Sequence, residues 1–402
     1  MVKVVIIGAG LMGSATSYPL SDNGHSVHLV GTHLDGEIIK SCKEKHYHPR
    51  LKRYLPQGVR PYYIEEIGKA IEGADVILSG VNSLGVHWIG QTIKPFIRPG
   101  QMIIAITKGL ETDAEGNWRI LPDVLAGELD ENMRSQLKFA AVGGPCIAGE
   151  LAGRRQSCVV FGSRDFSTVE RLASIFRTSY YHIWKTTDLV GLEFGAAFKN
   201  AYTLAIGIAY GLLEKAGGID EAGANFHNLA AGIFAQSCVE MRRLLEIANS
   251  DQSFAYKLPG AGDLYVTAVG GRTVRLGKLL GAGNSFDEAR QIMAGETLES
   301  AEIISMMGKT LPKLDREGVL QPDELPILRT LVDVIVHGKP VQFPIDRVFG
   351  GNSILGCSTR KEKPRSIFRL FKLAPDYWMM PWQGSPVGRR FMLNCMISLL
   401  TN

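Results

Sequence analysis

Val2 to Ile7 is a short apolar run that ends at Gly8-Ala9-Gly10-Leu11-Met12-Gly13, and Ser14 to Asp22 then reads as a helix. A strand, a glycine turn and a helix start in that order leave few folds open. Gly8 permits the tight turn, Gly10 lets backbone approach a pyrophosphate, and Gly13 lets the helix pack on the strand. The helix N-terminus adds free N–H groups and a positive dipole. A lone GxGxxG is weak evidence. Here it stands in the first βα unit, and a second strand, Ser26 to Val30, follows at the expected distance. Nucleotide binding is therefore favoured over a glycine turn that holds nothing.

After the second strand an acidic residue normally holds the ribose hydroxyls of an adenosine. This chain has Gly31-Thr32-His33 there, with Asp35 as the nearest acid. The missing carboxylate removes a repulsion against a 2′-phosphate, and Thr32 and His33 can donate to one. No arginine stands there to clamp it. The expectation leans towards NADP being accepted, with NAD left open.

A polar segment from Cys42 to Arg60, containing His46-Tyr47-His48-Pro49-Arg50, reads as a surface loop without enough ligands for a metal. Strands then alternate with helices: strands at 75–81, 102–107, 138–142 and 158–161, with a helix at 86–97. Such interleaving implies a parallel, doubly wound sheet with ligands at the carboxyl ends of its strands. Polar residues do follow those ends: Asn82-Ser83, Thr107-Lys108-Gly109 and Gly143-Gly144-Pro145-Cys146. Lys108 is expected to point into the crevice, against the plainer reading of a solvated strand-end lysine. Cys146 as a nucleophile has no histidine partner nearby in sequence.

From Asp188 the pattern is helical almost throughout, so a boundary is expected there: residues 1–187, then 188–345, then an unassigned tail 346–402. The run Phe194 to Leu213 carries one charge, Lys199, among small and apolar residues. At about 20 residues it is long enough for a membrane span. A lysine near the centre costs roughly 2.5–3.5 kcal/mol there, however, and no second span accompanies it. A buried helix is the better reading. Dehydration lowers a lysine's pKa, which is how an amine becomes a usable base near neutral pH.

Further on, Leu258-Pro259-Gly260-Ala261-Gly262-Asp263-Leu264 is a glycine turn presenting one aspartate, followed by Thr267 and by Gly270-Gly271-Arg272-Thr273 before a helix. The aspartate either caps a helix or serves a site. Arg272, at a helix start after two glycines, suits a phosphate: bidentate donor, N–H groups and dipole together. Glu296 lies in another turn. A formal charge of +4 suits a small anionic substrate and is too weak to argue for nucleic acid. Six scattered cysteines support neither a zinc site nor a disulfide framework, and no secretion signal is evident at the start.

Taken in order, GAGLMG at 8–13, TKGLE at 107–111, GPCIAGE at 144–150, FKNAYTLAIGIAYGL around Lys199, PGAGDL at 259–264, GGRT and AGE at 294–296 resemble the NAD(P)-dependent glycerol-3-phosphate dehydrogenase family over most of residues 1–345. The resemblance implies a Rossmann-type domain followed by an all-helical domain of the 6-phosphogluconate-dehydrogenase type. It implies Lys199 as proton acceptor, and Asp263 is expected to orient the lysine or a substrate hydroxyl. Lys108, Asp263, Arg272 and Thr273 fall on substrate-contacting positions and Gly144 and Cys146 on the substrate loop, with Thr267 a further substrate-binding candidate. Gly8, Gly10, Leu11, Met12, Gly13, Thr32, His33, Lys108, Ala148, Arg272 and Glu296 would face the cofactor. A cytoplasmic homodimer making glycerol phosphate for membrane lipids is the family expectation. Cys146 stands where serine is usual, Ile147 for phenylalanine, Thr273 for asparagine, Asn82 for proline and Val30 for tryptophan. Another two-domain hydroxy-acid or sugar dehydrogenase, or a nucleotide-binding regulator without catalysis, are the alternatives. From about Gly350 no family counterpart is found.

Overall fold

The computed structural model describes residues 1–225 and 227–349; the tail beyond lies outside the described residues. Its strands are β1 (Lys3–Ile7), β2 (Ser26–Val30), β3 (Tyr47–His48), β4 (Arg53–Tyr54), β5 (Val59–Tyr62), β6 (Val76–Ser79), β7 (Met102–Ala105), β8 (Leu110–Thr112), β9 (Trp118–Ile120), β10 (Lys138–Gly143), β11 (Ser157–Gly162) and β12 (Tyr181–Thr186). Between and after them run α1 (Leu11–Asp22), α2 (Gly36–Lys45), α3 (Ile67–Ile71), α4 (Val86–Ile93), α5 (Leu121–Gly127), α6 (Glu131–Arg134), α7 (Ala148–Ala152) and α8 (Phe166–Phe176). Helices then take over: α9 (Leu189–Lys215), α10 (His227–Ile247), α11 (Asp263–Ala268), α12 (Arg272–Ala282), α13 (Phe286–Ile292), α14 (Glu299–Arg316), α15 (Pro326–Ile335) and α16 (Ile345–Phe349).

Eight strands form one sheet in the order β12-β11-β10-β7-β6-β1-β2-β5. Helices cover both faces, so β1 is apolar at consecutive positions rather than alternate ones. Val4 and Ile6 enter the core on one face, Val5 and Ile7 the core on the other. The chain order reverses at β1, which pairs with both β2 and β6. A crevice at such a switch point is where open α/β sheets bind ligands.

The sheet is not wholly parallel: β11 pairs antiparallel to β10 and parallel to β12. The link between β10 and β11 holds only the short α7, which keeps the chain at the carboxyl end of β10 instead of returning it across the sheet. The Cys42–Arg60 segment is also more ordered than a surface loop. It contains the end of α2, the β3–β4 hairpin and the start of β5. His48 is fully buried. One of its ring nitrogens meets the Ala9 carbonyl oxygen at 3.0 Å, and the other accepts the Leu51 N–H at 3.0 Å. Its polarity is satisfied by backbone rather than by solvent.

The third core centres on α9, which is capped at its start by Asp188 accepting the Gly191 N–H at 2.8 Å. Most of its apolar side chains are buried, each fully buried leucine, isoleucine or phenylalanine contributing about 1.5–3 kcal/mol. Gly207 and Gly211 lie directly against Gly277 and Gly281 of α12. A Cβ at Gly211 would stand 2.1 Å from the Lys278 carbonyl oxygen, and one at Gly281 2.2 Å from that of Ile208. This seam brings the backbone of the Arg272 helix against the helix that bears Lys199. Among the described residues no helix is long and apolar enough to cross a membrane.

Candidate active site

Four segments distant in sequence converge beside α9. Lys199 sits near the middle of that helix, 6% exposed. Opposite it, α11 begins with Asp263, 2% exposed. The wide turn Leu258–Gly262 that presents Asp263 needs its glycines, since a Cβ at Gly260 would come within 2.4 Å of the Phe254 carbonyl oxygen. Gly195 of α9 packs against Pro259 of the same turn, which seats the aspartate against the lysine.

Lys199 Nζ donates to Asp263 Oδ1 at 3.1 Å and to Thr267 Oγ1 at 2.7 Å. From the end of β7, Lys108 Nζ donates to Asp263 Oδ2 and, at 3.3 Å, to the Gly144 carbonyl oxygen. Asp263 thus stands between two lysines. Burial alone would raise its pKa, but the charges of Lys108 and Lys199 outweigh burial and hold it below the usual value. Lys199 goes the other way. Burial lowers it to about 8, with Asp263 opposing and Lys108 assisting. The arrangement is a dehydrated amine that exchanges a proton near neutral pH, held by an anion that stays charged.

The structure therefore brings together Lys108, Gly144, Lys199, Asp263 and Thr267. Thr273 is buried in the first turn of α12. Arg272 opens the same helix, but its guanidinium pairs with Glu299 through Nε at 2.9 Å and through Nη2. Glu296 pairs with Arg275 at 2.6 Å. Cys146 is half-buried on the loop after β10, and burial pushes its thiol up to about 12. It is no ready nucleophile.

At the other end of the crevice, Gly8 has φ +113°, and a Cβ there would lie 2.7 Å from the Gly80 carbonyl oxygen. A Cβ at Gly13 would stand 2.2 Å from the Gly8 carbonyl oxygen, whereas one at Gly10 would meet nothing within 4 Å. Gly8 and Gly13 are required by packing; Gly10 faces open space. The N-terminus of α1 carries no acidic residue in its first turn, with Leu11 and Met12 beginning the helix. This opening fits the pyrophosphate of a dinucleotide: free N–H groups, dipole and room for close approach. Ala148 opens α7 beside the loop after β10.

One expectation at this end needs correction. Asp35 is buried and folds back under the turn, where its Oδ2 accepts from Ala9 N at 3.1 Å, Thr32 N at 2.9 Å and Thr32 Oγ1 at 2.9 Å. The nearest acid is thus taken up by the turn itself, and the Thr32 hydroxyl is committed to it rather than free for a phosphate. His33 is left exposed, its ring edge-on to Trp88 with centroids 5.5 Å apart. Two further buried acids escape the sequence reading: Glu193, one residue before the Phe194 to Leu213 run, and Glu240 in α10. A lone acid at a helical core position is the available signal for both.

Known proteins resemble this chain over most of its length. Residues 3–169 match the family description NAD-dependent glycerol-3-phosphate dehydrogenase N-terminus, and residues 188–346 match its C-terminus. An NADP(+)-dependent glycerol-3-phosphate dehydrogenase of Archaeoglobus fulgidus is 38% identical over 340 residues, 84% of this chain and 96% of that one. A glycerol-3-phosphate dehydrogenase [NAD(P)+] of Bacillus cereus is 28% identical over 356 residues, 87% and 96% of the two chains. The glycerol-3-phosphate dehydrogenase crystal structure from Coxiella burnetii superposes with a TM-score of 0.69 at 24% identity, over 86% of this chain and 97% of that one, a likeness of fold. The chain belongs to the NAD(P)-dependent glycerol-3-phosphate dehydrogenase family.

Proposed function

We propose that this chain interconverts sn-glycerol 3-phosphate and dihydroxyacetone phosphate, using NADP or NAD, and so supplies glycerol phosphate for phospholipid synthesis. The observation that carries the reading is Lys199, dehydrated and held 3.1 Å from Asp263 and 2.7 Å from Thr267. The nicotinamide, when bound, supplies the hydride acceptor or donor. In oxidation the neutral Lys199 amine takes the proton of the secondary hydroxyl while that carbon gives up hydride. In reduction its ammonium form returns the proton to the developing alkoxide. Asp263 keeps the amine oriented. Lys108, tied to Asp263 and to the Gly144 carbonyl, steadies the substrate oxygen from the sheet side.

The substrate phosphate goes to the start of α12, where it competes with Glu299 for Arg272 and receives the N–H groups of that first turn. Gly8, Gly10, Gly13, Leu11, Met12, His33, Ala148 and Glu296 line the cofactor path. Residues 1–187 act as the dinucleotide domain and 188–345 as the substrate domain, in a cytoplasmic homodimer.

Following NADPH and NADH absorbance with dihydroxyacetone phosphate tests the reading. Turnover is expected with at least one cofactor. Folded protein that binds a cofactor yet gives no turnover with either would overturn the reading and leave a dehydrogenase of another substrate or a nucleotide-binding regulator. Lys199→Ala is expected to keep cofactor binding and lose roughly 10²–10⁴-fold in kcat; a nearly unchanged rate removes Lys199 from the chemistry.

A further inference from the structure

Glu240 lies within α10 and is 1% exposed. Four donors converge on its carboxylate. Oε1 accepts from Ile327 N at 2.8 Å and Gln236 Nε2 at 3.3 Å; Oε2 accepts from Leu328 N at 3.0 Å and the Tyr202 hydroxyl at 3.1 Å. Among the described residues no lysine or arginine forms an ion pair with it.

Each partner ties down a different element. Ile327 and Leu328 lie in the first turn of the ten-residue α15, whose N-cap Leu325 offers no side-chain cap. The opening N–H groups of a helix have no partners within it and favour an anion. Glu240 provides that cap from another helix. Tyr202 is fully buried on α9, one turn beyond Lys199. In the same turn the Thr203 hydroxyl donates to the Lys199 carbonyl oxygen at 2.7 Å. The Glu240 carboxylate is thus the junction of α9, α10 and α15, next to the turn that carries the base.

We propose that Glu240 is a positioning residue for Lys199: its carboxylate latches the Lys199 turn of α9 to the start of α15 through Tyr202, and protonation of that carboxylate loosens the latch. All four partners donate, so an anion satisfies all four. A protonated acid must give one acceptor position to its own hydrogen, and the remaining contacts lose their charge assistance, which accounts for about half their strength. Tyr202 can reverse its hydroxyl; the backbone N–H groups cannot. A reversed Tyr202 hydroxyl accepts the new O–H, so the link to α9 is left as a neutral hydrogen bond without charge assistance and is the one that weakens.

Burial raises Glu240 to about 7, against the pull of its four donors. That lies just below the value of about 8 for Lys199. The other titratable groups facing it do not change charge in this range. Burial raises Tyr202 well above its ordinary value and Cys238 to about 11. Arg329 on α15 stays charged on Asp315, at 2.6 and 2.9 Å.

This inference rests on Lys199 as the proton acceptor. The test is the pH profile of kcat/KM for glycerol 3-phosphate oxidation, recorded for wild type, Glu240→Gln, Tyr202→Phe and Lys199→Ala. Below about pH 7 the wild type should fall more steeply than either junction variant, because Glu240 takes up a proton in addition to Lys199. Glu240→Gln should fall about tenfold per unit, with kcat lowered and KM little changed. Tyr202→Phe removes only a hydroxyl, covers the case in which the Glu240→Gln substitution misfolds the junction, and should show the same single-proton fall. A wild-type profile with one proton, or a fall of wild-type steepness kept by both variants, overturns the proposal. A Lys199→Ala enzyme as fast as wild type would instead overturn the underlying chemistry, which keeps the two failures apart.

Discussion

Asp263 and Glu193 make an instructive pair. Both carboxyl groups are fully buried and both feel the charge of Lys108, yet their environments drive them in opposite directions. Around Asp263, Lys108 and Lys199 each place an ammonium in hydrogen-bond contact, and the carboxyl is held below its ordinary value despite burial. Around Glu193 neither oxygen has a hydrogen-bond partner among the described residues. Burial pushes it well above the ordinary value. Lys108 only opposes this from a distance, and the Leu121 N–H, which also favours the anion, lies outside good hydrogen-bond geometry. Burial by itself neutralises an acid; a touching cation reverses the outcome. The first arrangement can organise proton transfer to and from an amine. The second is an acid in a helix core that burial drives towards its neutral form.

The largest effect should come from taking the charge off Asp263. Asp263→Asn leaves two lysines facing a neutral amide. Breaking a buried ion pair in this way costs about 3–5 kcal/mol of stability, partly relieved because Lys199 deprotonates. Turnover should drop on the order of 10²-fold. The sign on the pH profile is fixed by the electrostatics. Asp263 raises the Lys199 pKa, so its loss moves the acid limb of glycerol 3-phosphate oxidation to lower pH. Lys108→Met should act oppositely and more weakly. Lys108 lowers the Lys199 pKa, so its removal moves that limb to higher pH, with a loss on the order of tenfold in kcat. Limbs moving in the same direction for both variants would mean that Asp263 does not sit electrostatically between the lysines during turnover.

That contrast also separates what sequence reading reaches from what it misses. The Gly8–Gly13 turn, the alternating strands and the change to helices at Asp188 are local patterns, written in consecutive residues. Lys199 and Asp263 are visible as isolated charges in apolar or glycine-rich runs. Their partnership spans 64 residues, and that of Lys108 with Asp263 spans 155; spacing alone can place neither. Gly207-x-x-x-Gly211 signals a close-packed helix face, but its counterpart, Gly277 and Gly281, is far along the chain. Asp35 is visible as the nearest acid, but its role beneath the turn is not, because it bonds Ala9, 26 residues away, as well as Thr32. His48 escapes it because a polar residue satisfied by carbonyl and N–H groups looks, in sequence, like an exposed one. Arg272 reads as a phosphate donor, but without Glu299, which is 27 residues away.

The smallest effect on activity, and the sharpest check on the comparison, belongs to Glu193→Gln. If Glu193 is a neutral acid, an amide of the same shape changes no charge near Lys199. Both kcat and the position of the acid limb should then stay within about twofold of wild type. Stability should respond instead. The folded chain keeps a proton on Glu193 that the unfolded chain releases above about pH 4.3. Wild-type stability therefore falls as pH rises from there towards the raised folded value, since folding must take a proton from increasingly dilute supply. The amide has no proton to take up, so the variant's melting temperature should fall less between pH 5 and pH 8. The difference from wild type should be larger at pH 8. A variant that melts with the wild-type pH dependence would show that Glu193 is ionised in the fold, and that Lys108 reaches it as it reaches Asp263.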